Sequence, residues 1–167
     1  MITFKKVKVC FLLFIIFVNI FYIEPCFSYS LREDLFKNAL DLSSGGEFNL
    51  ALQEWNRYLD SYPNDAAGLS NRGNVRLVLG DLEGSIDDQN KAISLNPSEI
   101  DPYINRGIAE EALGHWSQAE KDYMFVISQD SSNFSALYNL ANVEGSTSQW
   151  EKARELFSKA ALYNPGF

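Results

Sequence analysis

A spacing of 34 residues runs through this chain and limits what it can fold into more than any single motif does. Asn71-Arg72-Gly73 returns as Asn105-Arg106-Gly107. Gly46, Gly80 and Gly114 are followed in the same register by Ser148. Ala51, Ser85, Ala119 and Ala153 are all small, and so are Ala39, Gly73, Gly107 and Ala141. Phe48, Leu82, Trp116 and Trp150 are all large and apolar. Prolines stand at 63, 97 and 165, with Ser131 in the one missing place. Four copies fit without an insertion, at 32–65, 66–99, 100–133 and 134–167. A period of this length marks a repeat array built from one supersecondary unit.

Within each copy, apolar and small residues recur at spacings of three and four on both sides of a short turn. In the third copy, Tyr103, Arg106, Gly107, Glu110 and Leu113 precede Gly114, and Trp116, Ala119, Tyr123 and Ile127 follow it. That is helical periodicity twice over. Alternating Val/Ile/Thr-rich runs are absent, so the reading is all-α. Helix starts are expected at Asn64-Asp65, at Ser98 in Ser98–Asp101 and at Ser148 in Ser148–Glu151. The small positions let two antiparallel helices approach, and Trp55, Tyr58, Tyr123 and Phe157 interlock beside them. One hairpin cannot cover its own apolar face; stacked neighbours bury a continuous core.

A 34-residue helix–turn–helix unit with small, small, aromatic and proline landmarks resembles the tetratricopeptide repeat, and the likeness covers residues 32–167. The resemblance implies a right-handed α-solenoid of four repeats, residues 31–167, whose first helices line a concave groove. It implies further that the groove binds extended peptides or helices of partner proteins. Carried onto this sequence, the groove residues are Asn71, Asn74, Asn105, Ile108, Tyr138, Asn139 and Asn142. An asparagine offers one acceptor and two donors, which suits a peptide backbone read without regard to its side chains. The subtype that clamps a chaperone's C-terminal carboxylate is not expected, because its sites here are Ala67, Ser70, Asp101 and Asn105, with no cation. Copy two departs most: Arg76 stands where the family has an aromatic before the turn, and Gln89 replaces the second-helix aromatic. With Gly84 in its second helix, that copy is expected to be the loosest.

The repeated arginines have two readings. In one, Arg72 and Arg106 grip an anionic ligand. In the other they are structural, and 16 residues beyond them lie Asp88 and Asp122. The remaining copies carry Asn38 with Glu54 and Leu140 with Leu156, polar opposite polar and apolar opposite apolar. The structural register is either within a copy (Arg72–Asp88, Arg106–Asp122) or between copies (Glu54–Arg72, Asp88–Arg106).

Residues 1–30 form a separate segment, read as a signal peptide or membrane anchor. Lys5, Lys6 and Lys8 precede an apolar run from Val9 to Ile23 broken only by Asn19, then Pro25 and small residues. The run is short for a bilayer-spanning helix of about 20 residues. The chain is thus expected to be exported across a membrane or anchored to one, in a periplasm or an organelle lumen. Of 14 Lys and Arg and 22 Asp and Glu, three lysines and Glu24 lie in this segment, leaving the body at −10. Such a charge repels nucleic acid and favours neutral or basic partners. Cys10 and Cys26, the only cysteines, also lie in the leader, so no disulfide or thiol chemistry is expected beyond it.

No enzyme is expected. His115 is the only histidine and sits at a turn, no glycine-rich phosphate loop occurs, and no cofactor or metal set is recognisable. The expected function is a protein–protein interaction scaffold, with membrane-complex assembly as its natural setting. The alternative is an architectural N-terminal part of a longer repeat protein. At the C-terminal edge, Ala153, Phe157, Ala160, Ala161 and Phe167 are expected to face outward, either because the chain is a piece of a longer repeat array or because this edge is a docking or self-association surface.

Overall fold

The computed structural model describes residues 31–164. Residues 1–30, read above as a signal peptide or membrane anchor, and Phe167 at the C-terminal edge therefore lie outside the described residues. Residues 31–44 form helix α1. It is followed by α2 (Phe48–Ser61), α3 (Ala66–Leu79), α4 (Leu82–Leu95), α5 (Asp101–Ala112), α6 (Trp116–Gln129), α7 (Phe134–Ser146) and α8 (Trp150–Tyr163). The second helices, α2, α4, α6 and α8, begin at 48, 82, 116 and 150, a constant advance of 34. Among the described residues no helix is long and apolar enough to cross a membrane.

The turn inside each hairpin explains the glycine series. Gly46, Gly80 and Gly114 take φ of 78°, 82° and 77°, the left-handed conformation that ends a helix without a Cβ penalty. Ser148 adopts φ 66° in the same place, the only non-glycine with positive φ among the described residues. It is a turn residue and not a cap: the N-cap of α8 is Gln149, with no side-chain bond, and that of α5 is Ile100, likewise without one. Ser98 instead donates to Asn96 Oδ1 at 2.8 Å. Pro102 opens α5, where its missing N–H has no helical partner to lose. Side-chain caps do form at Asp65, Asp81 and Asn133, which accept from the amides of Gly68, Gly84 and Ala136. Gly84 lies in the first turn of α4, and a Cβ there would collide with the Asp81 carboxylate. Its glycine cost is therefore offset by the cap it makes room for.

Each helix packs on its neighbours in sequence, and α3 also contacts α5, as α5 does α7. The second helices α2, α4, α6 and α8 approach only first helices. First helices thus crowd together and second helices splay apart, which makes an all-α solenoid with the first helices on its inner, concave side. Two apolar clusters fill it. Ala39, Ala51, Trp55, Tyr58, Leu59, Leu69, Val75 and Ala92 form one. Ala119, Tyr123, Leu140 and Val143 form the other. Copy two contributes Leu69, Val75 and Ala92 to the first cluster, but its buried residues also include the polar Ser85, Asp88 and Gln89. It is not a gap. Gln89 lies so close that a Cβ on Gly73 would stand 2.5 Å from Gln89 Nε2. What changes is the chemistry of the packing, from aromatic to hydrogen-bonded.

Candidate functional site

The repeated Asn-Arg-Gly is built into the helix interfaces. Arg72 donates from Nε to Asp88 Oδ2 at 2.8 Å and from Nη2 to Asp88 Oδ1 at 2.6 Å. Arg106 repeats the fork on Asp122 at the same 2.8 and 2.6 Å. The within-copy register is correct, and the Glu54–Arg72 and Asp88–Arg106 pairings do not occur. Each guanidinium has a third contact that sequence reading missed: Arg72 Nη1 donates to Asn56 Oδ1 at 3.0 Å, and Arg106 Nη1 to Asn90 Oδ1 at 2.6 Å. Each arginine therefore ties its own hairpin to the second helix of the previous copy. The signal was present in the period, because the triads read Asn56–Arg72–Asp88, Asn90–Arg106–Asp122 and Met124–Leu140–Leu156. The Asp122 hydrogen bonds raise the Arg106 pKa further, against the opposing effect of burial. With both forks closed, neither guanidinium is available to grip an anion.

The glycines of the two motifs let the second helices in. On Gly107 a Cβ would stand 2.6 Å from Tyr123 Cε1. Tyr123 in turn donates to Glu111 Oε2 at 3.0 Å, and at the equivalent place Trp55 Nε1 donates to Ser43 Oγ at 2.9 Å. Each buried ring thus bonds the residue 12 positions earlier, satisfying a polar atom that would otherwise be orphaned. Burial pushes the Glu111 carboxyl above its usual range, partly countered by the Tyr123 hydroxyl. Arg76, in the family's aromatic position, reaches Asp88 Oδ2 at 3.0 Å and Gly84 O at 3.0 Å. Copy two's departures are thus both put to use: Arg76 supplies a second cation for the buried Asp88 carboxylate, and Gln89 Nε2 donates to Ser70 O at 3.0 Å.

On the concave side a cleft of about 410 Å³ opens between α3 and α5. Asn71, Asn74 and Asn105 line it, with Ser70, Ile104, Asn96, Glu99 and Asp101. No lysine or arginine does. Asn71 already spends one amide proton on Ala67 O at 2.9 Å. Ile108 is not among the lining residues; it packs against the second apolar cluster. Tyr138, Asn139 and Asn142 lie one repeat further along, on α7. All three are partly buried, and the Tyr138 ring meets Phe134 at 5.8 Å and Phe157 at 5.4 Å between centroids. At the N-terminal end of the same face Arg32 donates to Tyr58 Oη at 3.2 Å and pairs with Asp65. Burial would raise the Asp65 carboxyl, but the Gly68 amide, Arg32 and Tyr58 outweigh it and hold it below its usual range.

The C-terminal edge differs from expectation. Ala153 and Ala160 are buried against the preceding helix, whereas Phe157 and Ala161 are exposed.

A stack of helical hairpins advancing by 34 residues, polar on its inner face, defines a helical-repeat solenoid. The tetratricopeptide repeat family model matches residues 36–100 and 104–166, and the chain belongs to that family. No curated protein sequence matches it significantly. Among solved structures it is similar to MamA (residues 41 to the end) from Desulfovibrio magneticus RS-1: 16% identity, TM-score 0.75, covering 80% of this chain and 76% of that one. The first repeat domain of Spaghetti (RPAP3), bound to the HSP90 peptide SRMEEVD, shares 25% identity at TM-score 0.67, covering 70% of this chain and 93% of that one. The second such domain of human RPAP3, in complex with the HSP70 peptide SGPTIEEVD, shares 22% at TM-score 0.63, covering 66% and 92%.

Proposed function

We propose that this protein is a non-catalytic scaffold, exported across a membrane or tethered to one by residues 1–30, that holds partner polypeptides on its concave face. The observation that carries the reading is the α3/α5 cleft, which joins four asparagines to two carboxylates and no cation. The asparagines supply donors and acceptors for an extended backbone. Glu99 and Asp101 make the cleft a poor host for acidic tails such as the EEVD ends bound by the two RPAP3 domains. The partner segment is therefore neutral or basic, in keeping with the −10 charge of residues 31–167. Ile108, Tyr138, Asn139 and Asn142 extend the same track toward α7, and assembly of a membrane complex is the setting that a leader plus a peptide groove suits.

Peptide-display selection against the full chain tests the groove. Neutral or basic sequences are expected to be enriched, and Asn71→Ala with Asn105→Ala to abolish the enrichment. Selection of acidic C-terminal tails, or an enrichment untouched by both substitutions, overturns the proposal. Fusing residues 1–30 to a reporter active only outside the cytosol tests the leader, and an inactive fusion counts against export.

A further inference from the structure

The α3/α5 cleft continues into a second one. A space of about 290 Å³ lies between α1 and the start of α3, lined by Arg32, Glu33, Phe36, Tyr58, Asp65 and Ala67. Ala67, exposed on α3, lines both clefts. A chain laid along one therefore runs into the other.

The two clefts differ in chemistry. In the α3/α5 cleft, Glu99 and Asp101 are exposed, and among the described residues neither carboxylate has an ion-pair or hydrogen-bond partner. Asp65, Asp88 and Asp122, by contrast, are each closed by an arginine. The amino ends of α3, α5 and α7 open on the same cleft through Ala66, Asp101 and Ser135. Each carries about half a positive charge, less in sum than the two carboxylates. In the α1/α3 cleft the only lining cation is already spent. Arg32 donates to Tyr58 Oη at 3.2 Å, pairs with Asp65 and lies 5.2 Å from the centre of the Tyr62 ring. The apolar wall there is Phe36, half-buried, its ring edge to face with Trp55 at 5.0 Å and with Tyr58 at 5.4 Å. Glu33 stands four residues before the exposed Lys37, a spacing at which the two charges offset each other. One cleft is thus anionic and the other close to neutral with an aromatic wall.

We infer that this track selects a partner segment carrying one lysine or arginine and one large apolar side chain about three residues apart. The cation lies between Glu99 and Asp101, and the apolar group lies against Phe36. The spacing follows from the fold. Packed helix axes are about 8–10 Å apart, and an extended chain advances about 3.3 Å per residue. Passing from one side of α3 to the other therefore takes about three residues. The asparagines between the clefts hold any backbone alike, so the pair of side chains supplies the selection. The inference rests on the concave face being the partner-binding face and adds what that face selects.

An array of serine–glycine peptides tests it, each carrying one leucine and one lysine in both orders with their separation varied, probed with the labelled full chain. Binding should peak at a separation of about three residues. Changing the lysine to glutamate should cost about fivefold, as two partly exposed ion pairs allow, and the difference should shrink as salt is added. Asp101→Lys should reverse the preference. Asn71→Ala should weaken every peptide alike and leave the lysine-to-glutamate ratio as it was. Equal binding of lysine and glutamate peptides, a ratio that Asp101→Lys does not move, or binding indifferent to the separation would each overturn the inference while leaving the groove intact. No binding by any peptide would remove the groove reading itself, and this inference with it. If Asp101→Lys loses helicity by circular dichroism, Glu99→Lys, in the turn before α5, takes its place with the same reversal expected.

Discussion

Replacing Arg106 with leucine should expose how the repeated motif works. Its fork occupies both oxygens of Asp122, whose side chain is 7% exposed, while the arginine side chain is 22% exposed. Removing one partner of a buried pair costs roughly 3–5 kcal/mol, because the other charge is left without compensation. Partial exposure of the arginine admits water to the site, so the lower end applies, about 3 kcal/mol. The chain supplies its own control. At the equivalent places copy four has Leu140 and Leu156, so Arg106→Leu with Asp122→Leu writes copy four's solution into copy three. The double substitution should lie within about 1 kcal/mol of the unaltered protein, since an apolar pair of similar size commonly replaces a buried ion pair at little cost. Arg72→Leu should cost less than Arg106→Leu, about 1–2 kcal/mol, because Arg76 stays 3.0 Å from Asp88. Copy three has Glu110 in the place of Arg76, which cannot substitute. Urea unfolding followed by circular dichroism measures the effect. Hydrogen exchange on α5 and α6 localises it, since repeat arrays open piecewise. A cost below about 1 kcal/mol for Arg106→Leu would refute the reasoning. So would a double variant as unstable as the single one, or an Arg72→Leu that costs the more.

Two further outcomes are expected. Ser148→Gly should stabilise the protein by about 0.5–1 kcal/mol, since it relieves a left-handed conformation at φ 66° that glycine adopts freely; a lower melting temperature would contradict this. In thermal melts across pH, Asp65 and Glu111 should act in opposite senses. The Asp65 carboxyl is held down in the folded state, so its contribution is present above the unfolded carboxylate's titration and lost as pH falls through the folded value. Asp65→Asn should therefore destabilise at neutral pH and progressively less in acid. The Glu111 carboxyl is held up, so its ionised form costs stability at neutral pH and the cost disappears as pH falls. Glu111→Gln should raise the melting temperature at pH near 7 and leave it nearly unchanged below about pH 4. Identical pH profiles for the two variants would show that the assignments are wrong.

The number of units, their length and their helical nature were legible in the chain, because a period of 34 imposes the same constraint four times. The arginine–aspartate pairing was legible only in part: copies one and four place polar opposite polar and apolar opposite apolar, which left the within-copy and between-copy registers both open until the structure showed the first. The three-way contact through Asn56 and Asn90 was equally written there but needed the knowledge that one copy's second helix touches the next copy's first. Capping was misjudged at Ser98 and Ser148 for a local reason: the chain there is shaped by Pro102 and by a left-handed turn, both of which displace the serine from the cap position.

The amino-acid order by itself determined that this protein is a stack of helical hairpins with an acidic body, preceded by a stretch of apolar sequence. Periodicity and charge are properties of the chain, and they survive any packing. Only the tertiary structure decided which side chains meet: that Arg76 backs up Arg72 on Asp88, that Ala153 and Ala160 turn inward while Phe157 stays exposed, and that Asn71, Asn74 and Asn105 share a cleft with Glu99 and Asp101. Those facts depend on how far first helices crowd and second helices splay, a geometry set by the summed contacts of every interface and not by any one residue.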